Sequence, residues 1–292
     1  MLGIMRLLIV NPVASGVTED LVTRVRKALG DVELEHTEHP GHATELARAA
    51  ADAQAVYVFS GDGVFNEVLN GIGPETPVGL VPGGGASVLP RALGLPNDPL
   101  DAAERIVSGR TRRISLGRVN GRRFGFAAGI GIDAEAVRRL DDRGRTAEQG
   151  RAGNLVFAWE LARLLAERRG RFDPALEILG RGRAAFALVA NCDPYTYAGP
   201  VPIRIAPEAR FELGIDLVAP RAVSPFALPR LLGYALLGRG QASAGDILYG
   251  HDLDRIEVVC DGPMPLQVDG EDLGDVTSAV FEAERSAVSV LV

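Results

Sequence analysis

The chain opens on a run of apolar residues, Arg6-Leu-Leu-Ile-Val10, that stops at Asn11-Pro12. A short continuous apolar run closed by a turn signal predicts a strand buried on both faces, as in a parallel sheet. Over residues 18–29 the period changes, and Leu21, Val22, Val25, Ala28 and Leu29 fall on one helical face. The alternation continues with a strand over Val32–Thr37, an alanine-rich helix over Ala43–Ala53 and a strand over Ala55–Phe59. A helix over about 64–72 and a strand over Val78–Val81 follow. Strands alternating with helices predict a parallel sheet with right-handed crossovers. Past Arg112 the pattern shifts to strands at 113–119, 122–128, 184–190, 203–206, 213–219, 255–260, 265–268 and 277–292, separated by Gly, Pro and Asp. That spacing predicts antiparallel pairing. Two helices interrupt it. One spans about 152–168, with Leu155, Val156, Trp159, Leu161, Ala162 and Leu165 as its apolar positions. The other spans about 224–237, its start limited by Pro229. Residues 141–151 and 168–171 read as solvated loops, the first of them mobile. The predicted fold class is therefore an α/β domain with a parallel sheet over 1–115, then a β-rich, antiparallel, sandwich-like domain over 116–280. The C-terminal strand, 281–292, is free to return to the first domain.

Composition removes several chemistries. The two cysteines, Cys192 and Cys260, lie far apart, which excludes a disulfide framework, a CxxC redox site and a cysteine zinc cluster, and fits a reducing cytoplasm. Of the 31 basic residues only Lys27 is lysine, so Schiff-base and P-loop lysine chemistry have almost no candidate. A net charge of −7 argues against a general nucleic-acid binder. The first apolar run is too short for a signal peptide, and no stretch predicts a transmembrane span. The most lipophilic stretch, Pro225–Leu237, is broken by Pro229, Arg230 and Gly233.

Chemistry concentrates in three loops that follow predicted strands. Phe59-Ser-Gly-Asp-Gly-Val-Phe-Asn-Glu67 places two glycines where a buried strand turns into a helix. Glycine admits a phosphate to the backbone, and a helix N-terminus offers free N–H groups. The stretch is neither a dinucleotide fingerprint, since Asn66 takes the third glycine position, nor a P-loop, since no GK[ST] occurs. Asp62 there reads as a holder of Mg2+, as a proton acceptor, or simply as a helix cap. Asn11-Pro-Val-Ala-Ser-Gly16 and Pro82-Gly-Gly-Gly85 follow two further strands at the same sheet edge, where open α/β sheets bind ligands. Together the three loops favour a nucleotide site. His36, His39 and His42 recur every third residue, but without cysteine or acidic support they read as a polar loop. Near the C-terminus, Asp269, Glu271 and Asp272 surround a turn, which by itself is an acid-rich hairpin.

Taken together, these stretches resemble the diacylglycerol kinase catalytic family, which includes bacterial lipid kinases and the sphingosine kinases. Asn11-Pro-x-x-Ser-Gly16 resembles its first motif. Ser60-Gly-Asp-Gly-Val-Phe-Asn-Glu-Val-Leu-Asn-Gly71 resembles its signature GGDGTxNEVxNG. Val268-Asp-Gly-Glu271 resembles its late catalytic motif, and Pro82–Pro96 keeps the position of a fourth. The resemblance implies a nucleotide-binding domain followed by a lipid-substrate domain, with the site in a cleft. It implies that Asn11, Pro12, Val13, Ala14, Ser15, Thr37, Gly61, Asp62, Gly63, Val64, Phe65, Asn66, Glu67, Gly84 and Gly85 surround ATP. It further implies that Glu271 accepts a proton with Asp269 beside it, and that Asp62 acts through Mg2+ and the phosphates.

The chain departs from the family at three places, one of them Val64 at the signature threonine, a change that sphingosine-type members tolerate. In the PxGTxNDFAR region Gly85 replaces Thr, Ser87 replaces Asn, Val88 replaces Asp and Pro90 replaces Ala, which removes a hydroxyl and a carboxylate near the phosphates. The aspartate pair that holds a structural Mg2+ in some relatives is missing from Glu212-Leu-Gly-Ile-Asp216, which leaves only Glu212 or Asp216 to substitute and puts that metal in question. The expectation is an ATP- and Mg2+-dependent lipid kinase, a phosphotransferase of phospholipid metabolism acting on a primary hydroxyl of a diacylglycerol-like or sphingoid lipid. It would be cytoplasmic and peripherally bound to the inner face of the membrane, with no nucleic-acid partner and an open oligomeric state, a homodimer included. The 225–239 segment, apolar and arginine-flanked, offers a membrane contact, although a helix packed on the β domain is the simpler expectation. Two rivals are an NAD kinase-like enzyme, with a comparable loop and two-domain plan, and a non-catalytic nucleotide- or lipid-binding protein.

Overall fold

The apolar runs become a parallel sheet. The computed structural model describes residues 6–144 and 154–292. In it β1 (Arg6–Val10), β2 (Glu33–His36), β3 (Ala55–Ser60) and β4 (Val78–Pro82) pair in parallel in the spatial order β2-β1-β3-β4. All of β3 and β4 is buried, which is why they read as unbroken apolar runs, whereas β2 is largely exposed at the edge. The crossovers use α1 (Glu19–Leu29), α2 (His42–Ala49) and α3 (Asp62–Gly71), and α4 (Val88–Ala92) and α5 (Pro99–Ser108) follow β4. Because β2 and β3 flank β1 on opposite sides, the chain reverses direction at β1, and the crevice at the carboxyl ends of β1 and β3 is the switch point where such sheets bind ligands. Helices α2 and α3 approach closely: a Cβ at Gly71 would lie 2.3 Å from the Thr44 carbonyl oxygen, so this glycine of the signature is required by helix packing. The residues up to Ser115, together with Ser286–Val292, form one compact unit. Within it Val290 pairs in parallel with Val78 of β4.

Leu116–Arg285 form a second unit. The chain enters it along β5 (Thr111–Val119) and continues through β6 (Arg122–Phe124), β7 (Ala127–Ile130), α6 (Ile132–Gly144) and α7 (Asn154–Glu167). Then come β8 (Leu176–Ile178), β9 (Gly182–Ala184), β10 (Ala187–Ala190), β11 (Thr196–Ala198), β12 (Val201–Ile203) and β13 (Ile215–Pro220). It ends with α8 (Leu228–Leu237), β14 (Ile247–Leu253), β15 (Arg255–Val268) and β16 (Glu271–Leu291). The antiparallel sheet runs β14-β13-β10-β7-β15-β16. One face carries a core of Phe124, Leu176, Ile215, Leu217, Leu266 and Phe281. A separate cluster of Ile132, Ala136, Leu164, Phe186 and Val223 packs with the helices α6, α7 and α8. The α/β first part and the strand-rich second part are those that the periodicity predicts.

The structure corrects the reading in several places. Residues 141–144, read as loop, are the last turn of α6, and 145–151 lie outside the described residues. Helix α6 turns Ile132, Ala134, Ala136 and Val137 inward, a short apolar face half made of alanine, which periodicity weighs lightly. Strand β14 escapes notice because Gly250-His251-Asp252 interrupts its apolar pattern. Helix α7 keeps part of the predicted face, Leu161 and Leu165 packing inward, but Val156, Trp159 and Ala162 are exposed while Phe157, Glu160 and Leu164 turn inward instead. The sequence LVFAWELARLLA is apolar nearly all round, so only docking could select a face.

Candidate active site

The three glycine-bearing loops of the first unit are stitched together through their backbones. Gly16 N–H donates to the Gly83 carbonyl at 2.9 Å, and Gly83 N–H donates to the Ser60 carbonyl at 2.7 Å. The contact is close: a Cβ at Gly84 would lie 2.6 Å from Gly61 Cα. These glycines are thus needed first for loop-on-loop packing, and the loops then present their remaining backbone at the strand ends. Asn11 closes its own turn, its Oδ1 accepting from Val13 N–H at 3.1 Å. Thr37 follows β2 at the same edge, its N–H on the Val10 carbonyl at 2.9 Å.

The polar residues of the signature also build the scaffold. Asp62 opens α3, and its carboxylate accepts from Val88 N–H at 3.0 Å and Leu89 N–H at 3.2 Å. It therefore caps α4, whose own N-cap residue, Ser87, has φ of 45° and directs its hydroxyl to the Gly84 carbonyl. Glu67 accepts from Ala43 N–H at 3.2 Å and caps α2, whose N-cap residue is Gly41 with no side chain to offer. Asn66 is buried and accepts from Asn70 Nδ2 at 3.1 Å. The residues expected around ATP separate accordingly. Asn11, Pro12, Val13, Ala14, Ser15, Thr37, Gly61, Asp62, Gly84 and Gly85 lie at least partly exposed on the loops. Gly63 and Val64 are buried and could offer only the N–H groups of the first turn of α3. Phe65 is fully buried, and its N–H is already bonded to the Gly61 carbonyl, so it belongs to the core rather than to a ligand shell. Replacing Glu67 with Ala is expected to lower stability by about 1 kcal/mol, the usual cost of a lost helix cap, read as a shifted urea midpoint with unchanged slope.

In the second unit the late motif forms the tight turn between β15 and β16. Asp269 and Gly270 both take positive φ, 47° and 81°, as a two-residue hairpin loop requires. Asp269 is buried, and its carboxylate accepts from the N–H groups of Gly125 at 2.6 Å and of Phe126 and Ala127 at 3.0 Å. With both oxygens accepting from backbone N–H groups, Asp269 fixes the turn. Glu271, the first residue of β16, remains partly exposed, and Arg122 Nη2 donates to its Oε2 at 3.2 Å. Arg138 holds Asp272 at 2.9 Å and Asp275 at 2.7 Å on the same strand. Both arginines lie more than 130 residues from their partners, so no sequence signal could have found them.

Behind the turn lies a buried network. Asp133 Oδ2 accepts from the Tyr195 hydroxyl at 2.7 Å and Gln267 Nε2 at 2.9 Å, and Gln267 Oε1 accepts from Gly270 N–H at 2.9 Å. Burial pushes the Asp133 carboxyl up from its ordinary value, against the pull of the Tyr195 and Gln267 hydrogen bonds. The folded protein thus keeps a proton there that the unfolded chain releases near pH 3.9. That stabilisation is complete below the unfolded value and is lost as pH rises through the raised folded one. Asp133→Asn is expected to abolish this fall, so that the stability difference between wild type and variant changes steadily with pH in urea titrations. A difference independent of pH would show that Asp133 does not titrate on folding.

Metal ligands are sparse. Asp216 is fully buried; it accepts from Asp252 N–H at 3.0 Å and faces His251 Nδ1 at 2.9 Å, while Glu212 is exposed. Neither forms part of a converging ligand cluster among the described residues. The three groups that do converge there are His39, His42 and Glu45, within 4.8 Å. His42 Nδ1, however, accepts from Glu38 N–H at 3.1 Å, which leaves the ring proton on Nε2. His36 closes β2 and does not join them.

Comparison with known proteins bears on family and fold. Residues 6–119 match the diacylglycerol kinase catalytic domain. The family resemblance carried by the motifs is therefore borne out. A diacylglycerol kinase of Bacillus subtilis is 39% identical over 97 residues, covering 31% of this chain and 32% of that protein. One from Staphylococcus saprophyticus is 37% identical over 116 residues, 38% of each chain. These matches span about a third of the relatives' length. A crystal structure of a Bacillus anthracis diacylglycerol kinase superposes with a TM-score of 0.72 at 20% identity over 99% of this chain and 96% of that one. An NAD kinase from Archaeoglobus fulgidus, solved in complex with ATP, superposes with a TM-score of 0.53 at 15% identity over 99% and 94%. At these identities the two superpositions establish the fold alone.

Proposed function

We propose that the chain is an ATP- and Mg2+-dependent lipid kinase that phosphorylates a primary hydroxyl of a diacylglycerol-like or sphingoid lipid. The observation that carries this reading is the match of residues 6–119 to the diacylglycerol kinase catalytic domain, in which the loops after β1, β3 and β4 converge at the switch point of the sheet. The donor set there suits a magnesium triphosphate: glycine backbone in three loops, the Asn11 amide, the Ser15 and Thr37 hydroxyls and the Asp62 carboxylate. Bound Mg2+ would neutralise the phosphate charge that phosphoryl transfer must carry. The chain's own part is positional. Asp62, by capping α4, holds the 83–88 loop in register with the signature loop. In the second unit, the turn fixed by Asp269 presents Glu271, which we assign as acceptor of the hydroxyl proton, with Arg122 orienting its carboxylate. The acceptor reaches the enzyme from a membrane, to whose cytoplasmic face the protein would bind peripherally; among the described residues no helix is long and apolar enough to cross one.

The likeness to an NAD kinase gives the one specific rival. Incubation with γ-labelled ATP, Mg2+ and either a total lipid extract or NAD tests both. Label in an organic-extractable lipid, identified by mass, is the expected result. Label in NADP would overturn the lipid assignment, and nucleotide binding without transfer to either acceptor would overturn kinase function.

A further inference from the structure

Helix α8 is apolar on every side yet buries none of its residues. Its sequence, LPRLLGYALL, contains one charge, Arg230. Leu228 and Leu231 turn toward the cluster shared with α7, while Leu232, Leu236 and Leu237 face outward, Leu237 at 64% exposure. Phe226, just ahead of the helix, is 95% exposed. A helix apolar all round is ordinarily buried, and a contiguous exposed apolar patch on a folded chain marks a surface that something else covers.

The charge around the patch says what that is. From Ala222 to Gly245 there is no acidic residue, and Arg230 and Arg239 are the only charged ones, in a chain of net charge −7. The turn after α7 adds Arg168, Arg169 and Arg171 beside the start of α8. Phe172 pairs with Val223, and a Cβ at Gly170 would lie 2.5 Å from Leu228 Cδ1. Arg168 and Arg230 pair with Glu135 and Asp246, whereas Arg169, Arg171 and Arg239 make no ion pair among the described residues. Apolar side chains flanked by arginine, locally cationic on an acidic chain, match the interface of an anionic bilayer, which takes apolar groups below its headgroups and arginine among them. A second copy of the chain fits less well, since a two-fold contact would set the same arginines against one another.

We propose that the outer face of α8, with Phe226 and the Arg168–Arg171 turn, is the surface by which this chain docks on an anionic membrane. The choice of a bilayer rests on the lipid-kinase reading. The test is co-sedimentation of the full chain with vesicles of phosphatidylcholine alone or mixed with phosphatidylglycerol. It is paired with phosphorylation of a short-chain, water-soluble diacylglycerol. Wild type is expected to sediment with the mixed vesicles, less so as salt rises. Each buried side chain contributes about tenfold in partitioning, so the double variant Phe226→Ser, Leu237→Ser should bind about a hundredfold more weakly. It should phosphorylate the soluble acceptor normally. A double variant that sediments like wild type overturns the surface and leaves the kinase standing, as does a wild type that ignores vesicles. A lipid-free dimer of wild type that the double variant dissolves overturns it in favour of a second copy. Vesicle binding that needs Phe226 and Leu237, in a chain that phosphorylates no lipid, upholds the surface and removes the kinase.

Discussion

Glu271→Gln is expected to slow phosphoryl transfer by about 10²–10⁴-fold, the usual cost of removing a general base, with the KM for ATP little changed. The substitution is isosteric and its amide oxygen still accepts from Arg122, which lies 3.2 Å away, so the turn should survive. Only the capacity to take a proton is lost. The neighbouring carboxylate provides the contrast. Asp269→Asn replaces an acceptor that serves three backbone N–H groups with one that must turn an N–H of its own toward them. Leaving a buried donor unsatisfied costs about 1–3 kcal/mol, so Asp269→Asn should lower the melting temperature as well as activity. Single-turnover rates measured below the melting transition separate the two. A Glu271→Gln enzyme that turns over normally would remove Glu271 from the chemistry and leave the late motif as a hairpin.

Asp62→Asn is expected to lower turnover by about 10²–10³-fold, the range measured when one preorganised electrostatic group is taken from a transition state. The carboxylate performs two tasks that one substitution disturbs together. It caps α4 across a 26-residue separation, and it contributes negative charge where a magnesium triphosphate is proposed to sit. The capping loss should cost about 1 kcal/mol or less, because an amide oxygen still accepts one of the two N–H groups. Asp98→Ala is the control. Asp98 caps α5 through Leu100 N–H at 2.9 Å and Asp101 N–H at 3.1 Å and belongs to none of the three loops, so its removal should cost similar stability with no loss of turnover. Equal activity losses in the two variants would mean that Asp62 matters only as a cap.

Some of this protein was legible in its residues and some was not, and the division follows the range of the forces involved. The parallel strands β1, β3 and β4 were legible because burial on both faces leaves an unbroken apolar run within five or six residues. The loop sites were legible because glycine and short polar residues cluster locally wherever backbone must approach backbone. Asp269 and Glu271 were visible as a pair, but spacing gave no means of telling which one the fold consumes. That was decided by Gly125, Phe126 and Ala127, more than 140 residues earlier, whose N–H groups occupy one carboxylate and leave the other to Arg122. The dual nature of Asp62 and Glu67 has the same origin, since the helices they cap, α4 and α2, lie 26 and 24 residues away. Helix α7 and helix α8 show the limit most plainly. Both are apolar around most of their circumference, so the sequence determined that they are helices but not which face is hidden. Packing against α6 and the cluster around Phe186 and Val223 turned Glu160 inward and Trp159 outward, and the outer face of α8 stays exposed. Local pattern fixes an element because backbone hydrogen bonding and side-chain period are short-ranged; which of two apolar faces is buried, and which of two carboxylates is spent, depends on partners that only the folded chain brings within reach.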